Sequence, residues 1–282
     1  MRRPALALLL PLAALAASLA CNLRQVTADQ AMAATLLNVP SRAVDPFALG
    51  APDAGAGVDA GTITLPGQTA ALVFLGELRG GVLDADPAPI DGAEVQVGPE
   101  GGGRAALART APGTYTTTSL QTPGLTYQSG ATYDFAARAD GEDYLGKVPE
   151  VPAEERIAEL REMPKRLSPG QPLTLTRPAP PAGKERPLGF VTVTRLGPQG
   201  QPEGPTYTSL PTTPIDVLRL GLDPEGFRAA SVEVPASAFP EARKSYLVVF
   251  HSATLGRPES DNLSVLSVLL AGTADVGVVR VE

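Results

Sequence analysis

His251 and Cys21 are the only imidazole and the only thiol in this 282-residue sequence. Structural zinc sites, disulfide frameworks and Cys-His catalysis all need more of these residues than are present. His251 follows Tyr246-Leu247-Val248-Val249-Phe250 at the end of an expected strand and has Ser252 beside it. A Ser-His-acid triad needs a nucleophile on a special turn, and no Gly-x-Ser-x-Gly occurs in the chain. Neighbours on a strand point to opposite faces, so Ser252 is badly placed to serve His251, which reads as a strand-end or loop histidine.

Two groups of carboxylates are dense enough to suggest acid-base work: Asp84, Asp86 and Asp91, then Glu154, Glu155, Glu159 and Glu162. Paired carboxylates hydrolyse glycosides. Sugar sites usually add aromatic platforms, and the chain has no Trp, six Tyr and seven Phe. Solvated loops and the polar face of a helix account for both groups, with calcium at Asp84, Asp86 and Asp91 as the alternative. Asp53 and Asp59 lack calcium-loop spacing. Glu100-Gly101-Gly102-Gly103-Arg104 lacks the lysine and the strand-to-helix setting of a phosphate loop, so a hairpin turn is expected there. Asp261-Asn262-Leu263-Ser264 holds a formal glycosylation acceptor at Asn262 that means little in the setting inferred below. No catalytic residue, metal or cofactor is assigned.

Cys21 has a better-defined context. Arg2 and Arg3 precede an uncharged, Ala- and Leu-rich stretch from Pro4 to Ala20, the pattern of an export signal. It is short for a membrane span, Pro11 interrupts it, and no charged stop-transfer flank follows. Ser18-Leu19-Ala20-Cys21 resembles the lipobox of bacterial lipoproteins, with Ser18 where Leu is usual. The resemblance implies cleavage before Cys21 and acylation of that residue. Ordinary secretion is the competing reading, because Ser18 and Ala20 also satisfy the small-x-small rule. The only thiol of the chain falls where the lipobox demands one. By the same resemblance Asn22, not being Asp, implies an outer-membrane destination in a two-membrane host. The formal net charge is −7, and loss of Arg2 and Arg3 would make the chain more acidic still. Nucleic acid is therefore not an expected partner, and attachment to the membrane has to come from acyl chains rather than a basic patch.

Glycine and proline, 29 each, favour short strands joined by turns over long helices. Residues 21–61 read as anchor and flexible tether. Thr27-Ala28-Asp29-Gln30 has the form of a capping box, and Met32, Leu36 and Leu37 share a helical face, so a short helix over about 28–37 competes with an unstructured spacer. From Thr62 onward the period is two: Thr62 to Leu65, Ala70 to Leu75, Ala93-Val95-Val97, Ala105 and Leu107, Tyr133-Phe135-Ala137, and Tyr144 to Val148. Asp-Gly, Pro-Gly and Ser-Gly punctuate these runs, which argues for an antiparallel sandwich.

Ile90-Asp91-Gly92-Ala93-Glu94-Val95-Gln96-Val97, Pro112-Gly113-Thr114-Tyr115 and Ser129-Gly130-Ala131-Thr132-Tyr133-Asp134-Phe135 look like the immunoglobulin-like or transthyretin-like modules of bacterial surface proteins, including the carboxypeptidase regulatory-like type. The resemblance covers about sixty residues, Ile90 to Val148. It implies a spacer or binding platform. Further on, Pro152-Ala153-Glu154-Glu155, Ile157 and Leu160 suggest a helix of two to three turns ended by Pro164, against a proline-rich connector. Pro178 to Arg186 reads as linker. Six later runs, Leu188–Leu196, Ile215–Leu220, Ser231–Val234, Tyr246–Phe250, Leu263–Leu270 and Val276–Val281, can close a second sandwich. Leu263–Leu270 is apolar on both sides and is expected as a central strand.

The expected protein is all-β, with two antiparallel sandwich domains: signal peptide 1–20, anchor and tether 21–61, first sandwich 62–151, linker 152–187 and second sandwich 188–282. Its expected role is that of a non-enzymatic envelope lipoprotein, held in the outer membrane through Cys21, that binds or scaffolds an envelope protein or polysaccharide. An envelope hydrolase using Asp or Glu, or a passive spacer, are the alternatives.

Overall fold

The computed structural model describes residues 28–44, 63–78, 87–161, 164–198, 200–211, 220 and 223–282. Among them, eighteen strands form: β1 (Gln30–Val39), β2 (Arg42–Val44), β3 (Ile63–Leu65), β4 (Gln68–Glu77), β5 (Ala88–Pro89), β6 (Glu94–Pro99), β7 (Ala105–Ala111), β8 (Thr114–Thr118), β9 (Tyr133–Ala139), β10 (Glu142–Val148), β11 (Lys165–Leu167), β12 (Leu173–Thr176), β13 (Leu188–Leu196), β14 (Pro202–Thr208), β15 (Ser231–Val234), β16 (Ser245–Leu255), β17 (Arg257–Pro258) and β18 (Val268–Val281). Three single 3-10 turns, at Ala158–Leu160, Pro224–Phe227 and Ala236–Ala238, accompany them. The described residues are nearly all β, and no helix among them is long and apolar enough to cross a membrane.

Twelve strands follow one hydrogen-bonded path, β14-β13-β16-β18-β1-β4-β8-β7-β6-β9-β10-β17. The path folds over at β7. Its first half, Ala105 to Leu107, pairs with β6, while Ala108 to Ala111 pair with β8 across a register shift. Two layers therefore face one another. Met32, Ala34 and Leu36 of β1, Val73 and Leu75 of β4, Val95 and Val97 of β6, and Tyr133, Phe135 and Ala137 of β9 all enter one core. A second core gathers Ile157, Leu160, Leu175, Val191, Val193, Tyr246, Val248, Phe250, Val279 and Val281. A smaller one forms around Leu188, Phe190, Leu220, Ala253 and Leu270. Large rings at these positions are tied down by their own hydroxyls. Tyr115 donates to the Ile90 carbonyl at 3.0 Å and accepts from the Ala93 N–H at 2.9 Å. Tyr133 does the same between Thr126 and Gln128, both at 2.8 Å. A buried phenol left without partners would cost about 1–3 kcal/mol, so each ring fixes the loop that satisfies it.

The two sides of this stack differ in chemistry. On the outward side of β1, β4, β8 and β7 the register aligns Thr35, Leu72, Thr116 and Ala108 in one row, which Leu270 of β18 continues into the third core. Flanking it are Ala33, Phe74 and Thr114 on one side and Leu37, Ala70 and Thr118 on the other. None of these is ionisable. On the outward side of β6, β9 and β10 the aligned rows are Glu94, Arg138 and Asp143, then Gln96, Ala136 and Leu145, then Gly98, Asp134 and Lys147.

Four expectations are corrected. Residues 28–37 form neither helix nor spacer: they begin a ten-residue strand, β1, paired along its whole length with β4. Met32, Ala34 and Leu36 are buried while Ala33 and Thr35 are exposed, so the period is two, and burial of alternate residues between strands outweighs the capping-box signal. Leu263–Leu270 is not one strand. Leu263 to Ser267 form a turn in which the Ser264 N–H donates to the Gln30 carbonyl and Ser267 Oγ accepts from the Met32 N–H. The strand runs from Val268 to Val281, buried on both faces for most of its length. Of residues 152–163, the described part, 152–161, does not form a two- or three-turn helix. Only Ala158–Leu160 make one 3-10 turn, because an extended Val151 to Ile157 places Val151 in the first core and Ile157 in the second. The pairing is not wholly antiparallel, since β1 and β11 run parallel to β18. Of Ile215–Leu220 only Leu220 falls within the described residues.

Candidate functional site

β18 changes partners along its length. β1 pairs with it as far as Thr273, and β11 pairs with it only from Val279 on. The interval is filled by side chains. Asp275, 2% exposed, receives the Ile157 N–H at 2.8 Å and an ion pair from Arg42, with Arg161 at 3.3 Å. Arg42 also donates to the Leu160 carbonyl at 2.7 Å. Burial holds the Arg42 guanidinium below its ordinary pKa and Asp275 opposes that shift, but an arginine stays charged throughout. The backbone of Leu160 lies against Gly277, where any Cβ would meet it at 2.8 Å. Glycine is required there for close approach, and the segment 152–161 is thereby locked to β18.

That segment carries the carboxylates expected on a helix face, and the structure sends them to different places. Glu154 pairs with Arg161 at 2.8 Å. Glu159 accepts the Thr176 N–H at 3.1 Å; burial pushes its pKa up, and backbone and hydroxyl hydrogen bonds bring the net shift downward. Glu155 turns inward to Arg177, whose side chain is wholly buried. The guanidinium grips it in a fork, Nε to Oε2 at 2.8 Å and Nη2 to Oε1 at 2.7 Å, and also donates to the Pro187 carbonyl at 2.7 Å. Ser252 Oγ donates to the same carboxylate at 2.9 Å, and the Phe250 ring lies 5.2 Å beneath the guanidinium. Removing one partner of such a pair leaves a buried charge and costs about 3–5 kcal/mol. Glu154 and Glu155 both line one groove, but each is held by an arginine, Glu154 by Arg161 and Glu155 by Arg177, with Ser252 also donating to Glu155. Glu162 lies outside the described residues.

Above Glu155 opens a groove of about 850 Å³. Pro149, Pro152, Pro178, Pro180, Pro181 and Pro187 form its walls, Leu188, Ala253 and Leu255 its apolar side, and Glu155 its floor. The Lys184 ammonium reaches Glu150 at 2.6 Å, both of them lining residues. Proline walls fix φ, so the groove is pre-shaped, and four of their carbonyls are already engaged: Pro152 accepts from the Tyr127 hydroxyl at 2.6 Å, Pro181 from the Lys184 N–H at 3.0 Å, Pro187 from Arg177 at 2.7 Å, and Pro178 from Arg186. Sequence reasoning took 178–186 for a linker and overlooked this site. The available signal was Arg177, one cation standing just before a run of prolines.

The remaining candidates fall elsewhere. Asp91 accepts from Arg109 Nε and Nη2 at 2.9 and 2.8 Å and from the Gly113 N–H at 2.8 Å. The Arg109 hydrogen bond, then that of Gly113, hold its carboxyl below the usual range. Gly113 has φ of +61° and would clash through a Cβ with the Leu75 carbonyl, so Asp91 clamps a turn only glycine fits. Asp84 and Asp86, with which it was grouped, lie outside the described residues, as do Cys21, Asn22, Asp53 and Asp59. Glu100 to Arg104 make the β6–β7 hairpin turn, with the Gly102 N–H on the Pro99 carbonyl at 2.9 Å. His251 points away from Ser252, pairs in register with Phe190 and Ala274, and has a buried Nε2 with no hydrogen-bond partner. Burial lowers its pKa to about 4.

No family model matches the chain, and no curated protein matches it. Among solved structures it is similar to the FN1-FN3 domains of chicken CNTN1, at 9% identity over 80% of this chain and 84% of that one, with a TM-score of 0.21. A likeness at that level carries no argument.

Proposed function

We propose that this chain is a lipid-anchored envelope protein with a non-catalytic binding role, and that it binds through the proline-walled groove above Glu155. The lipobox-like Ser18 to Cys21 supports the anchor, and the two principal cores support a body of two sandwich units of immunoglobulin-like kind. The groove carries the functional reading. Its volume of about 850 Å³ and its proline-fixed walls with an apolar side suit an extended strand of an envelope protein or polysaccharide, and the Glu155 carboxylate in its lining is held by Arg177.

Two measurements test the parts separately. Cys21→Ser should lose acylation and move the protein from the membrane fraction to the soluble one; retention in the membrane would remove the anchor reading. Thr254→Arg, which fills the groove from its wall, should abolish a reproducible partner captured from detergent-solubilised envelope. Capture unchanged by Thr254→Arg would place binding elsewhere. Turnover of a glycan, ester or peptide that Glu155→Gln abolishes would replace binding with hydrolysis.

A further inference from the structure

A sheet side in contact with water normally carries charge, as the β6-β9-β10 side does with Glu94, Arg138 and Asp143 in one row. The opposite side breaks that pattern. Its central row, Thr35, Leu72, Thr116 and Ala108, is methyl and hydroxyl only, and Leu72 is 41% exposed. Ala33, Thr35 and Ala108 are exposed as well.

We propose that this neutral side is the contact surface of a homodimer, in which a second copy of the chain packs against it face to face. Charge decides the occupant. Two bodies that each carry −7 repel wherever acidic groups meet, and this is a side where they can approach without bringing carboxylates together. A basic partner would find no carboxylate in these rows to pair with. A bilayer would call for Lys, Arg, Trp or Tyr at the rim of the patch, and a sugar for an open aromatic platform, whereas the ring on this side, Phe74, lies over Gly76. Small side chains suit sheet stacking at about 10 Å. Four strands about 4.8 Å apart and three rows deep give roughly 400 Å² in plan. A standard interface buries about 800 Å² per partner, so the dimer is of modest affinity. This inference stands whether or not Cys21 is acylated.

The test uses the full chain in its host envelope. Thr35→Cys and Thr116→Cys should each give a disulfide-linked dimer under mild oxidation, while Gln96→Cys on the charged side should not. Absence of the dimer at both positions, or equal yield at Gln96, overturns the proposal. In parallel, the detergent-purified protein should dimerise more tightly at high salt, where like charges are screened. The double variant Thr35→Glu with Thr116→Glu should weaken dimerisation by about tenfold or more while keeping the thermal midpoint. A dimer that survives that variant overturns the proposal. So does binding of the Cys21→Ser protein to phosphatidylcholine vesicles that the double variant abolishes, which would assign the surface to lipid.

Discussion

His251 shows how one side chain records its surroundings. Its pKa of about 4 comes from burial alone, with no hydrogen bond to favour the charged ring. In the unfolded chain the imidazole takes its proton near pH 6.5, and in the folded chain near 4. Between these values the unfolded state holds more protons, so stability falls as the pH drops through the window and the loss is complete below about 4. The full difference is up to about 3 kcal/mol. His251→Leu should remove this component: in urea titrations from pH 7.5 to 4, the gap between wild type and variant should change by that amount. Parallel curves would mean that water reaches the ring. The residue scale also shows what a sequence conceals. Glu155 and Ser252 are 97 positions apart, and nothing local marks them as partners. Asp275 could have been noticed as one carboxylate inside a run buried on both faces.

At the scale of elements, β1 carries the clearest prediction. Ala34 is 1% exposed and faces the first core between β4 and β18. Ala34→Asp places an unpaired carboxylate there and should destabilise by several kcal/mol, read as a collapse of the urea midpoint. Ala33→Asp, one step along on the exposed side, should shift it by less than about 1 kcal/mol. Equal effects would return this stretch to the status of a tether. The same strand explains where sequence reading failed. Strands such as β6 and β9 were legible because charged Glu94, Asp134 and Arg138 alternate with their apolar inner residues. In β1 the outward positions are Ala33, Thr35 and Leu37, which contrast too little with Met32, Ala34 and Leu36 to reveal a period of two. What remains is the spacing of Met32, Leu36 and Leu37, which fits a helix equally well. The neutral surface and the missed strand are one fact seen twice.

Over the whole molecule, β18 is the member on which the rest converges. It pairs with β16 over its full described overlap, with β1 along its first half and with β11 at its end, and it contributes to all three cores. A chain ending at Ser267 should therefore lose cooperative unfolding altogether, seen as loss of tyrosine near-ultraviolet dichroism and of slow amide exchange in β1 and β16. A truncated chain that kept a protected β4-β8-β6-β9 half would show that the first core stands alone. The separation between β1 and β18 in sequence also makes this a slow topology, dominated by distant pairings.

That arrangement has a consequence in time. The strand that sits between β1 and β16 is the latest of the described strands to leave the ribosome. Until it arrives, its two neighbours present open rims of unpaired amide and carbonyl groups, and most of the polypeptide waits half-built. Such a chain is prone to aggregate until its last strand is in place, and early termination of its message is expected to yield a sticky remnant rather than a smaller working protein.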